Sequence, residues 1–249
     1  MVHFTAAPMA PILTVSDVTL PNGVRLSYTQ YGPKHGDAVF LLHGYSDSAF
    51  SFSRIMPLLP SSIRAIAPDL RGHGTSDRPA SGYRIDDFAA DVVQMMDALR
   101  VPRATIVGHS MGSFVAQSIA ERAPERVSGL VLLGSAPVPA NPGMFELQKE
   151  VNRLTDPVDL EFVRAFQYST IAQPVPEAFM DAAVANSRKM PAAIWQLAMR
   201  GLIEFKPALP RPKRPVLVIG GDRDAVFSAA EQTALAAEYA GAELNIFDG

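Results

Sequence analysis

The positions of apolar residues predict strands that alternate with helices along most of the chain. Residues 38–42, 63–67, 127–133 and 216–219 form short and nearly continuous apolar runs, which are typical of strands buried on both faces of a parallel sheet. Residues 86–99 instead repeat apolar positions at helical spacing. This alternation favours an α/β fold with a mostly parallel, right-handed central sheet of about eight strands and helices on both faces.

Near the N-terminus, apolar and polar residues alternate over 24–31, directly after the turn residues 21–23 (Pro-Asn-Gly). This pattern predicts a β-hairpin with a partner strand at 15–20. A short helix is predicted over 52–59, and Pro60 ends it. Further strands are predicted at 105–107 and 243–247, further helices at 111–123 and 229–239, and an irregular arm at 1–13.

The pattern changes between residues 139 and 209. This stretch contains no strand-like run, and prolines separate four helix-like runs within it. It is therefore predicted to be an all-helical insertion that forms a cap, residues 139–209, on a core domain of residues 1–138 and 210–249. The four predicted helices are 145–154, 158–168, 177–188 and 192–205.

Composition narrows the class of protein without changing this architecture. The chain has 249 residues, of which 48% are hydrophobic and 19% charged, as expected of one large α/β domain with an insertion. A net charge of −3 and the lack of a basic tract argue against nucleic acid or a membrane surface as a partner. The chain has no cysteine, no signal-peptide pattern and no apolar run of the ~20 residues that span a bilayer. We expect a soluble, cytoplasmic protein.

The strongest chemical signal is Gly108-His109-Ser110-Met111-Gly112. An apolar run precedes it and a helix-like pattern follows, so it fits a serine on a sharp strand-to-helix turn, where glycines avoid collisions between neighbouring backbones. Such a turn exposes the hydroxyl and aims the first N–H groups of the helix at whatever the serine attacks. Ser110 is therefore predicted to be a nucleophile. The alternative is that the glycines serve a tight strand–helix crossing and that Ser110 only caps the helix.

Together with three further segments, this motif resembles the cap-bearing α/β-hydrolase fold family. The resemblance extends from the predicted hairpin to residue 247 and suggests its serine ester hydrolase, C–C hydrolase and perhydrolase-like branches. The other segments are Leu41-Leu42-His43-Gly44-Tyr45, Asp69-Leu70-Arg71-Gly72-His73-Gly74-Thr75-Ser76-Asp77 and Gly220-Gly221-Asp222-Arg223-Asp224.

The resemblance implies roles for individual residues. The N–H groups of Tyr45 and Met111 would form the oxyanion hole, and Asp224 would be the acid that orients a histidine. Asp222 is interpreted as a turn-former. His43 is expected to be mainly structural, with its ring bracing the oxyanion loop, and His73 is likewise expected to be structural.

The general base is missing from the expected place. In the family the histidine follows the acid, whereas His3, His35, His43, His73 and His109 all precede Asp224. We expect the histidine just beyond Gly249, and we expect Leu244 and Ile246 to be poorly covered without a closing helix. Two alternatives stay open: that His109 substitutes although its side chain should point away from Ser110, or that the chain lacks a base and is a weak catalyst or a ligand-binding relative.

The predicted function is a serine hydrolase that cleaves a small, apolar carboxylic ester through an acyl-enzyme. Alternatives with the same serine are a lactonase, a C–C bond hydrolase and a cofactor-free perhydrolase. No metal-ligand spacing and no G-x-G-x-x-G motif occur, so no metal and no cofactor are expected. The expected partner is a small-molecule acyl substrate; oligomeric state is left open.

Nine apolar residues of the predicted cap have two open roles, either lining an acyl pocket or packing cap helix on cap helix. They are Met144, Phe145, Phe162, Phe166, Phe179, Met180, Met190, Trp195 and Met199.

Overall fold

A computed structural model describes residues 13–208 and 210–248, and nearly all of the arm predicted at 1–13 lies outside them. The described residues contain one eight-stranded sheet with strand order β1-β2-β4-β3-β5-β6-β7-β8. The pairs β1–β2 and β2–β4 are antiparallel, and all other neighbours are parallel. The predicted α/β class with a mostly parallel sheet is confirmed.

The strands and helices agree with most of the predicted elements. The strands are β1 (Thr14–Thr19), β2 (Arg25–Tyr31), β3 (Asp37–Leu42), β4 (Ile63–Pro68), β5 (Ala104–His109), β6 (Val127–Leu133), β7 (Val216–Gly221) and β8 (Glu243–Phe247). The helices are α1 (Ile85–Ala98), α2 (Met111–Arg122), α3 (Pro142–Val151), α4 (Leu160–Ser169), α5 (Glu177–Ser187), α6 (Ala192–Ile203) and α7 (Ala229–Glu238).

The helix predicted over 52–59 is wrong. The chain there forms two short 3₁₀ helices, Ala49–Phe52 and Met56–Leu58. Pro57 lies inside the predicted helix. Because proline has no N–H and its ring collides with the preceding turn, it disfavours a continuous helix at this position. Apolar spacing alone did not reveal this break.

The two faces of the sheet are covered differently. On one face, α2 and α7 pack on a continuous core that includes Leu132 and Val218. On the other face, residues 49–59 cover β2, β3 and β4, whereas Val131 and Leu217 are only half-buried. Leu244 and Ile246 are half-buried too, but Leu244 packs against the core on the α7 side. On β8 the most exposed large apolar residue is Phe247, at 63%.

Helices α3 to α6 lie between β6 and β7 in sequence, so the predicted change to helix alone is confirmed. Asn141 and Asp159 cap α3 and α4, each accepting a backbone N–H with its side chain. We refer to residues 142–203 as the helical segment. The division into core (1–138 and 210–249) and cap (139–209) stays a prediction. Within residues 13–208 and 210–248, no helix has the length and apolar content to cross a membrane.

A buried ion pair ties the loop after β4 to α1. Arg71 donates from Nε and Nη2 to the two carboxylate oxygens of Asp91, at 2.6 and 2.5 Å. Asp91 is fully buried and also accepts from the Asn22 side chain at 2.8 Å. The removal of one member of such a pair leaves a buried charge without its partner, which is strongly destabilising.

We therefore predict that Arg71→Met lowers the free energy of unfolding by about 3–5 kcal/mol, measured by urea denaturation. The control is Arg164→Met, which removes the exposed ion pair with Asp181 and should cost less than about 1 kcal/mol. Equal effects of the two substitutions would contradict a structural role for the Arg71–Asp91 pair.

Candidate active site

Ser110 occupies a strained turn between β5 and α2. Its φ of 50° and ψ of −119° fall in a region that residues with a side chain rarely adopt. The backbone N–H of Ser110 donates to Leu133 O at 2.9 Å, which ties the turn to the neighbouring strand β6. This is the predicted location for the serine.

The two glycines of the motif are needed for a close crossing. A Cβ at Gly108 would collide with the carbonyl of Gly112, and a Cβ at Gly112 would collide with the carbonyls of Leu42 and His43. Ser110 is the N-cap residue of α2, yet its side chain makes no cap hydrogen bond. Among residues 13–208 and 210–248 its hydroxyl has no hydrogen-bond partner, so helix capping does not explain the serine.

The carbonyl of Ser110 is held from the helix side. Ser113 donates to it from its backbone N–H at 2.9 Å and from its hydroxyl at 2.6 Å. Ser113 and Gln117 also reach the hydroxyl of Ser135, at 2.7 and 3.2 Å. These three side chains lie at the junction of α2 with the end of β6, and they stiffen the turn that carries Ser110.

The turn formed by residues 44–47 lies against Ser110. An ideal Cβ on Gly44 would be 3.4 Å from the Ser110 Cβ. Asp47 N–H donates to Gly44 O at 3.2 Å, which closes the turn. The N–H groups of Tyr45 and Met111 have no hydrogen-bond acceptor among the described residues. Tyr45 directly follows Gly44, and Met111 directly follows Ser110. The two predicted oxyanion-hole residues therefore both lie next to the turn that carries Ser110.

His43 fixes the orientation of this turn. Its Nε2 accepts the Leu70 N–H at 3.0 Å, so Nδ1 carries the proton and donates to Gly44 O at 2.8 Å. Because the peptide is planar, holding the Gly44 carbonyl also sets the direction of the Tyr45 N–H. Burial lowers the pKa of His43, which keeps the ring neutral. The expected bracing contact of His43 is confirmed.

His73 lies behind His43, with ring centroids 5.0 Å apart. Its Nδ1 donates to Arg71 O at 2.9 Å, and its buried Nε2 has no partner in the described part of the chain. Burial, with a smaller effect from His43, lowers the pKa of His73 to about 3. His73 is thus a buried neutral histidine, which agrees with the structural role expected for it.

Asp224 lies in the loop after β7. Its Oδ1 accepts the N–H groups of Val226 and Phe227 at 2.8 and 2.9 Å, and its Oδ2 accepts from Gln232 at 3.4 Å. Bonds from an aspartate side chain to nearby backbone N–H groups are typical of a turn-former, which is the role predicted for Asp222. Here Asp224 makes them. The backbone N–H of Asp222 donates to Phe247 O at 3.0 Å, and Asp222 has a further interaction partner.

A cavity of about 310 Å³ joins Ser110 to Asp224. Gly134 lies between Asp224 and His109: an ideal Cβ on it would be 3.4 Å from Asp224 Oδ2 and 3.9 Å from His109 Nε2. No hydrogen bond joins the His109 ring to the Ser110 hydroxyl. The lining residues are His109, Ser110, Gly134, Ser169, Thr170, Ile171, Ala172, Gly221, Asp222, Arg223, Asp224, Ala225, Val226 and Phe227.

None of the nine apolar residues proposed for a pocket lines this cavity. Phe162 and Phe166 pack on Trp195, with ring centroids 5.6 and 5.5 Å apart, and Phe179 stacks on Phe50 at 5.0 Å. Phe162, Phe166 and Phe179 are half-buried, and Phe145 is exposed. The buried members of the set are Met144, Met180, Met190, Trp195 and Met199. Instead, residues 169–172, which comprise the last residue of α4 and the three after it, line the cavity on the side of the helical segment. Helical spacing does not distinguish these two environments.

Across the part of the chain that the structure describes, no three His, Asp or Glu side chains are close enough together to hold a metal ion.

The sheet order and the strained serine turn define the class of protein. A sequence model of the alpha/beta hydrolase fold matches residues 37–249. The chain therefore belongs to the α/β-hydrolase fold family.

Two relatives indicate how far the similarity extends. A 2-hydroxymuconate semialdehyde hydrolase of Pseudomonas sp. (strain CF600) is 30% identical over 242 residues, or 90% of this chain and 83% of the relative. A serine hydrolase-like protein of Danio rerio is 35% identical over 155 residues, or 60% of this chain and 47% of the relative. The chain spans about half the length of the first curated relatives it matches.

Solved structures give the same fold. A hydrolase from Pseudomonas aeruginosa has a TM-score of 0.83 at 26% identity, with 94% of this chain and 90% of that chain covered. Est816, described as an N-acyl homoserine lactone degrading enzyme, has a TM-score of 0.78 at 27% identity, with 94% and 92% covered.

The buried histidines make stability depend on pH. Since the pKa of His73 is about 3 when folded and about 6.5 when unfolded, the unfolded chain binds more protons between these values. The free energy of unfolding should therefore fall as pH decreases, by about 2 kcal/mol from His73 alone between pH 7 and 5.

Urea denaturation at the two pH values measures this loss. The variant His73→Asn should lose about 2 kcal/mol less than the wild type between pH 7 and 5. The variant His35→Asn, at an exposed position, should behave as the wild type. An unchanged pH dependence in His73→Asn would contradict the assignment.

Proposed function

We propose that this protein is a serine hydrolase that cleaves a small, apolar carboxylic ester through an acyl-enzyme. One observation carries the proposal. Ser110 has a φ of 50°, and its hydroxyl has no hydrogen-bond partner among the described residues. Its Cβ lies against Gly44 of the 44–47 turn, and it shares a cavity with Asp224. Backbone strain at a residue with a side chain is a cost that folding alone does not require.

In the proposed mechanism, the Ser110 oxygen attacks the ester carbonyl and the alcohol leaves, and water then releases the acid. The carbonyl oxygen becomes negatively charged in the transition state and accepts the N–H groups of Tyr45 and Met111. Both donors are preorganised, since His43 holds one peptide and α2 begins with the other. Preorganised donors need no rearrangement when the charge develops.

Asp224 is proposed to orient the imidazole that takes the Ser110 proton. Its Oδ1 is occupied by two backbone N–H groups, so Oδ2 is the oxygen available for the imidazole. The cavity between Asp224 and Ser110 is the place that this imidazole has to reach. That the histidine follows Gly249 stays a prediction.

The helical segment is proposed to act as a cap over Ser110. Support comes from residues 169–172, at the C-terminal end of α4, which line the serine cavity. The hydroxyls of Ser169 and Thr170 donate to Phe166 O and Gln167 O at 2.7 and 2.8 Å. The apolar side chains of Ile171 and Ala172 suit a small apolar acyl group. The proposed core domain comprises the residues on either side of the segment.

Hydrolysis of a C–C bond is a second candidate function. It is favoured by the 30% identity, over 90% of this chain, to the 2-hydroxymuconate semialdehyde hydrolase. Assays with p-nitrophenyl esters, with N-acyl homoserine lactones and with 2-hydroxymuconate semialdehyde separate the candidates. Turnover of the semialdehyde without turnover of any ester would favour the second function.

We predict that Ser110→Ala lowers ester turnover by roughly three orders of magnitude or more while the free energy of unfolding changes by about 1 kcal/mol or less. A fluorophosphonate probe should label the wild type and not this variant. Ser169→Ala, which alters another serine lining the same cavity, is the control and should still be labelled. Retained turnover in Ser110→Ala would place the chemistry elsewhere.

The acid is tested by comparing two neighbouring carboxylates. Asp224→Asn keeps an oxygen for the N–H groups of Val226 and Phe227 but loses the charge that stabilises an imidazolium, so kcat should fall roughly 10³- to 10⁴-fold. Asp222→Asn is the matched control, with an expected change of less than about 10-fold. A larger loss in Asp222→Asn would exchange the two assignments.

A further inference from the structure

Gln167 of α4 links the helical segment to the 44–47 turn. It is only 5% exposed, and its Nε2 donates to Ser187 Oγ at 2.8 Å and to Asp47 Oδ1 at 3.0 Å. A third acceptor, Ser46 Oγ, lies at 3.4 Å. Two of these three acceptors belong to the turn, so this amide is directed out of its own helix.

Ser187, the last residue of α5, continues the link. Its hydroxyl has one hydrogen, and the shorter of its two contacts is with Ser46 O at 2.9 Å, against 3.1 Å to Ala183 O. Gln167, Ser187 and the Ser46 carbonyl thus form a hydrogen-bonded chain from α4 through α5 to the turn. Such chains polarise and strengthen their members when buried, and Ser187 and Ser46 are both buried.

Ser46 is the residue of the turn that needs to be held. Its φ is 64°, and it is the third residue of a turn closed by the bond from Asp47 N–H to Gly44 O. Glycine is the usual residue where this position has a positive φ. A serine is strained there, and it persists only where surrounding contacts determine the conformation.

Tyr45 precedes Ser46 and is held by the same segment. Its hydroxyl donates to Trp195 O on α6 at 2.7 Å. Its ring packs edge-on against Phe166 and Trp195, with centroids 5.8 and 5.2 Å apart. Three helices therefore contact three consecutive residues of the turn, and the first of these residues carries the N–H proposed to bind the oxyanion.

We propose that Gln167 is a positioning residue for the oxyanion hole. Through Ser187 and Asp47 it keeps Ser46 in the left-handed conformation, and this keeps the Tyr45 N–H directed at the carbonyl that Ser110 attacks. The helical segment thereby controls the reactivity of the site as well as access to it. This inference rests on the proposed function, in which Tyr45 is an oxyanion donor.

The test compares two glutamines of the helical segment in the full-length protein. Gln167→Met removes the link to the turn. Gln196→Met is the matched control, because among the described residues Gln196 donates only to Asn152 O and Leu154 O in the same segment. With p-nitrophenyl acetate, Gln167→Met should lower kcat roughly 10- to 100-fold with KM and the pH profile of kcat nearly unchanged, whereas Gln196→Met should stay within about twofold of the wild type.

A rescue variant separates positioning from general damage to the fold. Since glycine adopts a positive φ without strain, Ser46→Gly should restore most of the lost kcat when combined with Gln167→Met. Hydrogen exchange gives a readout that does not depend on catalysis, and residues 45–47 should exchange faster in Gln167→Met than in Gln196→Met.

Equal kcat values and equal exchange rates in the two glutamine variants would overturn the inference. If the wild type neither turns over an ester nor reacts with the fluorophosphonate, the proposed function fails, and the exchange rates alone decide whether Gln167 holds the turn. If Gln167→Met does not fold, Ser187→Ala replaces it, with the same losses expected and the same comparison with Gln196→Met.

Discussion

The close approach of α2 to the ends of β3 and β5 is the constraint on which the rest of the site depends. Gly112 lies so near the carbonyls of Leu42 and His43 that no side chain fits between them. Because the helix begins at this contact, the chain has to reverse within one residue, and Ser110 takes up the strain with a φ of 50°. The same contact sets the serine, the first N–H groups of α2 and the turn after β3 side by side.

The turn is stiffened from behind by paired buried polar groups. Asp69 joins two loops, accepting the N–H groups of Ala49 and Thr75 at 2.8 Å each, and His43 connects the Leu70 N–H to the Gly44 carbonyl. Buried polar groups are costly unless they are satisfied, and satisfied networks hold one geometry. These hydrogen bonds fix the backbone groups at the ends of β3 and β4 relative to one another. A purely apolar core would not orient these groups.

Most of the fold could be predicted because strands buried on both faces leave continuous apolar runs in the sequence. The turn that carries Ser110 could be predicted because the close strand–helix crossing requires glycine at positions 108 and 112. Features that depend on tertiary contact left no such signal. Nothing in the sequence marks Ser46 as a residue with a positive φ, because the position is not a glycine. The contact of Gln167 with Asp47 joins residues 120 positions apart, so no local pattern indicates it. Apolar helical spacing also gave no means to distinguish residues that line a cavity from residues that pack in the segment.

The two sides of the cavity are held by unequal means. Ser110 follows the central strand β5 and is bonded to its neighbour β6, whereas Asp224 follows β7, which is next to the edge strand β8. Two hydrogen bonds of the Asp224 carboxylate are to N–H groups only two and three residues away. The helical segment together with its N-cap residue contacts both sides. Gln167 reaches the 44–47 turn, and Asn141, the N-cap of α3 just before the segment, donates to Val226 O at 2.8 Å. Because one segment contacts both, a change in its position alters the separation of the acid loop from the turn. The geometry of the site is thus a property of the packed segment as much as of the sheet.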